Sequence, residues 1–489
     1  MKFRILPLVL LGAGGGGGDD WGQAMRRLQE ALAGRDEARL EQAVGRVAAD
    51  DSARAVEALV RAARSAPPGA YWTILAGMAR LGSPAALDAL GREILEGKVP
   101  ELRRDLILPL RYSEAPGAVE LLKRILREGS PDLQVSAMDE LVDRERLDAA
   151  PILLDLADKD PGEERELTRR AFKALRALAK EDPPAGGPAA WRRWWAGIEA
   201  RAAGRPAPPP SPRRVGETVA DSIRRTRVTD YEALKRGKKE EVLVIEGVSD
   251  TVQDVLFRLG IPYRSESWEK IQASVDLNFG KSIAVFVNCG TGTWPPKQIA
   301  RIRDYVSSGG YLFVTDLAML QVVKHAFPDY IDFGKGTFAA ITVPIVPWRG
   351  TTGHPLLRGV DIPTPGLRSP DRAEQRLEWK IESDGPVLAF DPSRVIPLVE
   401  APTVVGKKRS SAVALSFTPD IDVKLMQESI RTGGVYEELG KLDSGKVICV
   451  LSHFKLQRQG EDGFALQNLL INFLIEAKDR ALLREKRKK

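Results

Sequence analysis

Hydrophobic residues recur three and four positions apart from about residue 21 to residue 203. Ala, Leu, Arg and Glu dominate this segment and runs of β-branched residues are few, so the pattern predicts amphipathic α-helices. Similar phrases return at nearly regular intervals: Ala-Val-Glu-Ala-Leu at 55–59, Ala-Leu-Asp-Ala-Leu at 86–90, Ala-Val-Glu-Leu-Leu at 118–122 and Leu-Leu-Asp-Leu at 153–156. Their final leucines are 31, 32 and 34 residues apart, which indicates an internal repeat.

A repeat of about 32 residues has the length of one pair of helices. Such a pair cannot bury its apolar face alone, so neighbouring pairs are expected to stack into an all-α solenoid. The period and the repeated phrases resemble those of HEAT-type repeats over roughly residues 40–180. The resemblance implies an extended surface that binds a protein partner. The alternative is a helical domain, residues 21–203, that only supports the rest of the chain.

A proline-rich segment follows the helical pattern. Residues 204–213 read Gly-Arg-Pro-Ala-Pro-Pro-Pro-Ser-Pro-Arg, a composition that favours extended polyproline geometry over helix or sheet. We therefore predict a linker at 204–215 and a second domain at 216–477.

Continuous apolar runs alternate with helical patterns in this second domain. The predicted strands are 242–246, 283–287, 311–314, 338–346, 387–390, 396–399, 412–417 and 446–451. Ser249 or Asp250 is expected to cap the helix after the first strand, and a final helix is expected from about Phe464 to Ala477. Apolar strands joined by helices predict a doubly wound, flavodoxin-like α/β domain with a mainly parallel sheet. Ligands of such sheets bind beyond the carboxyl ends of the strands, here at 246–250, 288–293, 315–316 and 452–454.

The order of phrases in this domain is similar to that of class I glutamine amidotransferase-like domains, in particular the trehalose-utilisation-like branch. The matching phrases are Asn-Cys-Gly-Thr-Gly at 288–292, Ser-Gly-Gly-Tyr-Leu-Phe-Val at 308–314, Gly-His-Pro-Leu-Leu-Arg-Gly-Val at 353–360 and Gly-Lys-Val-Ile-Cys-Val-Leu-Ser-His-Phe at 445–454. The resemblance covers about residues 240–477. It implies a cysteine on a strand-to-helix turn and a late His-x-Glu motif, which together form a catalytic triad.

Two members of that triad are absent from the positions that the resemblance implies. The turn after the third strand reads Thr-Asp-Leu-Ala at 315–318, so Asp316 stands near the expected cysteine. His453 matches the late histidine, but Lys455 replaces the glutamate. Cys289 is a candidate for a displaced nucleophile, although by order its strand contributes backbone donors for an oxyanion.

Binding of a small polar ligand is a separate expectation for this domain. Glycines after a strand suit an oxyanion site or an anion-binding nest, and polar side chains at strand ends are placed to contact a ligand. The candidate ligand-binding residues are Gly290, Gly292, Asp316 and His453.

Composition excludes several classes of function. Two cysteines are too few for a disulfide scaffold, and the sequence does not decide whether Cys289 and Cys449 form a disulfide with each other. The three histidines include no His-x-x-x-His pair, so no His-based zinc site is expected, and no phosphate-binding loop is present. We predict no cofactor and assign no metal ligand.

Charge does not indicate a specific nucleic-acid partner. The chain has 73 basic and 67 acidic residues, a net charge of +6. Seven basic and two acidic residues in 478–489 supply +5 of this, so the basic tail accounts for most of it. We expect that tail to be solvated.

The N-terminus has the pattern of a secretory signal peptide. Lys2 and Arg4 precede a short apolar run at 5–11, and small residues follow. We predict a signal peptide at 1–18 and a secreted or periplasmic location, with a cytoplasmic location as the alternative. No segment reaches the length of a transmembrane helix.

Two functional hypotheses follow. The first is an exported, non-catalytic binding or scaffold protein whose amidotransferase-like domain has lost its nucleophile. The second is a hydrolase or carbohydrate-modifying enzyme that uses Asp316 and His453 at the strand-end cleft. A full Cys-His-Glu geometry would favour an enzyme, and an apolar or filled strand-end cleft would favour a scaffold.

Overall fold

The computed structural model describes residues 18–34, 36–159, 166–181, 188–202, 217–273, 279–337, 341–360, 378–381, 386–402, 411–419, 444–455 and 463–488. Helices occupy the N-terminal part, and an α/β domain follows. The predicted division into these two parts is confirmed. The predicted signal peptide lies outside the described residues, as does the linker. No helix in these ranges is long and apolar enough to cross a membrane.

Helices follow one another through the N-terminal part, with turns that the sequence marks. Ser52 and Ser83 cap helices by accepting hydrogen bonds from backbone N–H groups, and prolines occupy the first turn of several others. Buried Ala, Leu, Val and Ile side chains form one apolar core along the array. The helices are α1 (Gly18–Ala33), α2 (Glu37–Ala48), α3 (Ala53–Ser65), α4 (Pro68–Met78), α5 (Pro84–Glu96), α6 (Pro100–Asp105), α7 (Leu108–Tyr112), α8 (Pro116–Glu128), α9 (Pro131–Asp143), α10 (Ala150–Lys159), α11 (Glu166–Ala179) and α12 (Pro188–Ala202).

The α/β domain begins with two short helices and continues with strands joined by helices. Its helices are α13 (Val219–Thr226), α14 (Val228–Lys235), α15 (Val252–Arg258), α16 (Trp268–Ala273), α17 (Pro296–Ser307), α18 (Lys324–Ala326) and α19 (Phe464–Lys488). Its strands are β1 (Val242–Glu246), β2 (Arg264–Ser267), β3 (Ala284–Val287), β4 (Tyr311–Thr315), β5 (Ile331–Thr337), β6 (Ile341–Pro344), β7 (Val346–Pro347), β8 (Glu378–Ile381), β9 (Pro386–Phe390), β10 (Ile396–Glu400), β11 (Ala412–Phe417) and β12 (Lys446–Val450).

Eight strands form the main sheet in the order β2-β1-β3-β4-β12-β11-β10-β7. The first five are parallel, and the remaining three continue the sheet in antiparallel pairs. The order of the parallel strands is the 2-1-3-4-5 order of doubly wound sheets, in which β1 and β3 flank the switch point. A mostly parallel sheet is therefore confirmed, and its carboxyl ends bring together segments distant in sequence.

Several local predictions differ from the structure. The predicted strand at 338–346 is divided into β6 and β7, with residues 338–340 outside the described ranges. The polar edge strand β2 was not predicted, because it lacks an apolar run. Thr251, not Ser249 or Asp250, occupies the N-cap of α15.

The final helix does not end near Ala477. It continues to Lys488, because its last turns contact the rest of the protein. Lys478 forms an ion pair with Glu241, and Arg484 donates a hydrogen bond to the Gly309 carbonyl. The basic tail is therefore helical and partly paired over its described residues.

Buried polar contacts join the helical part to the α/β domain. Asp105 of α6 accepts hydrogen bonds from the Gly350 N–H at 2.7 Å and the Thr352 hydroxyl at 2.8 Å. Arg358 forms ion pairs with Asp139 and Asp143 of α9, each at 3.0 Å. The segment 346–358 of the α/β domain thus packs on the α3–α9 region of the helical array.

Candidate functional site

The candidate site lies where four adjacent parallel strands end. Cys289 follows β3, Asp316 follows β4 and His453 follows β12. Ligand atoms of these three side chains lie within 4.8 Å of one another. The structure therefore brings together all three residues that the sequence indicated as candidates, although no two of them are close in sequence.

Asp316 sits on the turn between a strand and the following helical segment. Its φ of +44° lies in the left-handed region, which side-chain-bearing residues seldom adopt. The turn is held from both sides, since the Asp316 N–H bonds to the Val450 carbonyl at 2.8 Å and the Asp316 carbonyl accepts from the Met319 N–H at 2.9 Å. Asp316 therefore occupies a strained turn between a strand and a helical segment.

Cys289 is fixed by contacts with the neighbouring strand ends. Its N–H donates to the Thr315 hydroxyl at 3.0 Å, which joins the end of β3 to the end of β4. The loop after β1 packs closely on it, because a Cβ at Gly247 would lie only 2.1 Å from the Cys289 carbonyl oxygen. The thiol is consequently held beside the imidazole of His453. No local pattern in the sequence indicated that these two side chains meet.

His453 lies between negative groups. Its Nε2 is 3.1 Å from Oδ2 of Asp316. Burial by itself lowers the pKa of His453, but contacts with Asp316 and Cys289 and the negative charge of Asp250 outweigh this and raise the pKa to about 11. At neutral pH the imidazole is therefore protonated, and in that state it has no lone pair with which to accept a proton from a nucleophile.

Asp250 is the fourth strand-end residue; the sequence placed it in the strand-end segment 246–250 and named it as a helix cap, but not as a site residue. Its Oδ1 accepts hydrogen bonds from the N–H groups of Thr251, at 2.7 Å, and Lys455, at 3.1 Å. Burial raises the pKa of Asp250. The negative charge of Asp250 therefore acts on His453.

The predicted ligand-binding glycines have packing roles in the structure. A Cβ at Gly290, whose φ is +88°, would lie 2.7 Å from the Val248 side chain. A Cβ at Gly292 would lie 2.7 Å from the Trp268 indole nitrogen. Close approach of neighbouring groups thus explains both glycines without a ligand.

The remaining cysteine and His354 lie apart from the cluster. Cys449 is buried within β12, and both cysteines are free thiols, so the open question of a Cys289–Cys449 disulfide is answered in the negative. His354 stabilises a loop, since its Nδ1 accepts a hydrogen bond from the Leu356 N–H at 3.2 Å.

Two chemical roles are open to the cluster. Asp316 and Cys289 are nucleophilic groups beside an imidazole, which is an arrangement used in covalent catalysis. The same three side chains also offer thiolate, imidazole and carboxylate donors to a metal ion. Substrate access is the difficulty for catalysis, because Cys289 is 2% exposed, Asp316 1% and His453 0%.

Comparisons with known proteins do not assign the chain to a family. No family model matches it, and no curated protein matches it significantly.

Proposed function

We propose that the protein is a non-catalytic binding or scaffold protein, in which a HEAT-like solenoid holds an amidotransferase-like domain. The observation that carries the proposal is the burial of the candidate reactive residues. Cys289, Asp316 and His453 are each at most 2% exposed, so these side chains offer almost no surface for a substrate to contact. The position of the family's nucleophile is occupied by Asp316, which supports loss of the ancestral activity.

The contacts between the two domains support a scaffold. An extended helical surface is expected to bind a partner, and here part of that surface binds the protein's own second domain. Arg349 illustrates the contact, since its guanidinium lies 4.0 Å from the centre of the Tyr71 ring and donates to the Ala63 carbonyl at 2.6 Å. The helical array thereby fixes the orientation of the α/β domain, and outer surfaces stay available for a protein partner.

Cleavage of the linker tests this arrangement. A protease site inserted within 204–215 would be cut in the folded protein, and we expect the two fragments to elute together from gel filtration. Arg358→Glu, which places a third carboxylate beside Asp139 and Asp143, should separate them. Separation of the fragments with the natural Arg358 would contradict the scaffold.

Thiol labelling and ammonia release test the absence of catalysis. We expect iodoacetamide to modify Cys289 as slowly as Cys449 at neutral pH, because both thiols are buried. We expect no release of ammonia from glutamine above the rate of a Cys289→Ala variant. Rapid labelling of Cys289 that His453→Gln abolishes would show an activated nucleophile and overturn the proposal.

A hydrolase is the second candidate, favoured by the turn geometry at Asp316. A carboxylate on a strained turn, 3.1 Å from an imidazole nitrogen, resembles the arrangement of a nucleophile with its histidine. Hydrolysis of an ester or glycoside that both Asp316→Asn and His453→Gln abolish would select this function.

Export is a further part of the proposal and depends on the predicted signal peptide at 1–18. Mass spectrometry of the native protein should find a mature chain that begins in the glycine-rich region 12–18. An intact Met1 in a cytosolic fraction would exclude export.

A further inference from the structure

The strand-end cluster is a mixed set of metal-binding groups. We propose that Cys289, Asp316 and His453 together bind one divalent transition-metal ion, with Zn²⁺ as the expected ion. Their ligand atoms lie within 4.8 Å of one another, and all three side chains are buried. The histidine spacing excludes zinc sites that are built on pairs of histidines. The present set contains a single histidine, so that exclusion does not apply to it.

The donor types and their spacing fit a tetrahedral ion. Zn²⁺ binds thiolate sulfur at about 2.3 Å and imidazole nitrogen or carboxylate oxygen at about 2.0–2.2 Å. Neighbouring ligand atoms of a tetrahedron are then about 3.3–3.8 Å apart. The carboxylate of Asp316 is 3.1 Å from the His453 imidazole, so side-chain movements of about an ångström would complete the geometry. Hard cations such as Mg²⁺ prefer oxygen ligands, and the thiol argues against them.

The second oxygen of Asp316 gives an independent indication of a cation. The residue is 1% exposed, and its Oδ1 has no hydrogen-bond partner among the described residues. A buried carboxylate oxygen without a partner is rare and calls for an explanation such as an ion. Coordination by Asp316 would satisfy that oxygen or allow the carboxylate to turn toward the ion.

Charge balance and surrounding contacts also suit a divalent ion. Metal-bound cysteine is a thiolate, so binding releases the proton of the Cys289 thiol to solvent. The ligands then carry two negative charges, on the thiolate and the carboxylate, opposite an ion of charge +2. Thr315 and Asp250 hold the ligand segments in place, through the Cys289 N–H and the Lys455 N–H respectively. The three protein ligands leave the fourth tetrahedral position to a water molecule, and the ion would join the ends of β3, β4 and β12.

Metal analysis and cobalt substitution of the full-length protein test the site. Protein from zinc-supplemented medium should retain about one Zn²⁺ per chain after gel filtration, by the proposal of a single site. Its Co²⁺ form should show the visible bands of a tetrahedral ion and a near-ultraviolet thiolate-to-cobalt band. Cys289→Ser should lose the thiolate band. Cys449→Ser, which changes the other buried cysteine, is the matched control and should keep it.

X-ray absorption of the wild-type zinc form provides a test that does not depend on the folding of any variant. One sulfur and additional nitrogen or oxygen ligands are expected around the ion. Absence of retained Zn²⁺ together with absence of the thiolate-to-cobalt band in the wild type would overturn the proposal. An ion coordinated without sulfur would overturn it as well, as would a thiolate band that Cys449→Ser removes and Cys289→Ser preserves.

Discussion

Asp105 connects the two domains, and its removal should loosen their contact. The carboxylate is fully buried and accepts three hydrogen bonds, from the Tyr71 hydroxyl at 2.6 Å, the Gly350 N–H at 2.7 Å and the Thr352 hydroxyl at 2.8 Å. Asp105→Ala leaves these donors without an acceptor. A buried donor without a partner costs about 1–3 kcal/mol, although the two hydroxyls can turn toward other acceptors. We therefore expect a loss of about 2–4 kcal/mol in the free energy of opening this contact.

Asp105→Asn is the isosteric control. Its amide oxygen can still accept from Gly350 and Tyr71, and its NH₂ group can donate to the Thr352 hydroxyl oxygen, whose own proton is free to rotate. Hydrogen exchange of the peptide 348–352 measures the opening directly. Exchange should accelerate by about 30-fold to 1,000-fold in Asp105→Ala, as 2–4 kcal/mol requires, and by much less in Asp105→Asn. Unchanged exchange in Asp105→Ala, or equal acceleration in both variants, would refute the reasoning.

Three further predictions concern Glu400, Arg358 and Gly290. Burial raises the pKa of Glu400 from 4.5 to about 7 even though the Ser411 hydroxyl donates to it. The protonated Glu400 side chain therefore stabilises the folded protein fully below pH 4.5, and this stabilisation is lost as the pH rises through about 7. Glu400→Gln should remove this pH-dependent loss of about 3 kcal/mol in the free energy of unfolding. Equal pH dependence of urea unfolding in the wild type and the variant between pH 5 and 8 would contradict the prediction. Arg358→Met removes the ion-pair partner of Asp139 and Asp143, whose side chains are 18% and 12% exposed. It should cost up to about 3–5 kcal/mol in urea unfolding, whereas a cost below about 1 kcal/mol would indicate solvent-screened pairs. Gly290→Ala should lower the thermal midpoint, because φ is +88° and the added methyl would meet Val248; an unchanged midpoint would mean that the loop adjusts without strain.

The strands of the parallel sheet were predictable because they are buried on both faces. Val242–Glu246 and Tyr311–Thr315 are continuous apolar runs, which parallel sheets require. The edge strand Arg264–Ser267 lacks this signal, since its side chains are partly exposed and polar. Burial, and not strand propensity, therefore decides which strands the sequence reveals.

The members of the candidate site were predictable, but their partners were not. Polar residues directly after apolar strands indicated Cys289, Asp316 and His453, because the carboxyl ends of parallel strands meet at one edge. The contact of Asp250 with the Lys455 N–H spans 205 residues, and no local pattern in the sequence contains it. The sequence therefore indicated Asp316 as a possible partner of His453, but it did not indicate that Asp250 also lies near this histidine.

The order of strands in the main sheet gives a physical reason for the contact between the two domains. Strand β7 forms one edge of the main sheet, and an exposed edge offers unpaired backbone groups to other chains. Val346 of this strand lies in the apolar core of the helical part, and the Gly350 N–H that follows is bound by Asp105. The helical part thus covers this edge. At the opposite edge β2 carries Arg264 and Glu266, which form an ion pair, and charged side chains discourage pairing with another strand. The same contacts that orient the α/β domain therefore also protect its sheet, and Asp105 supplies an acceptor for a backbone N–H that follows the edge strand.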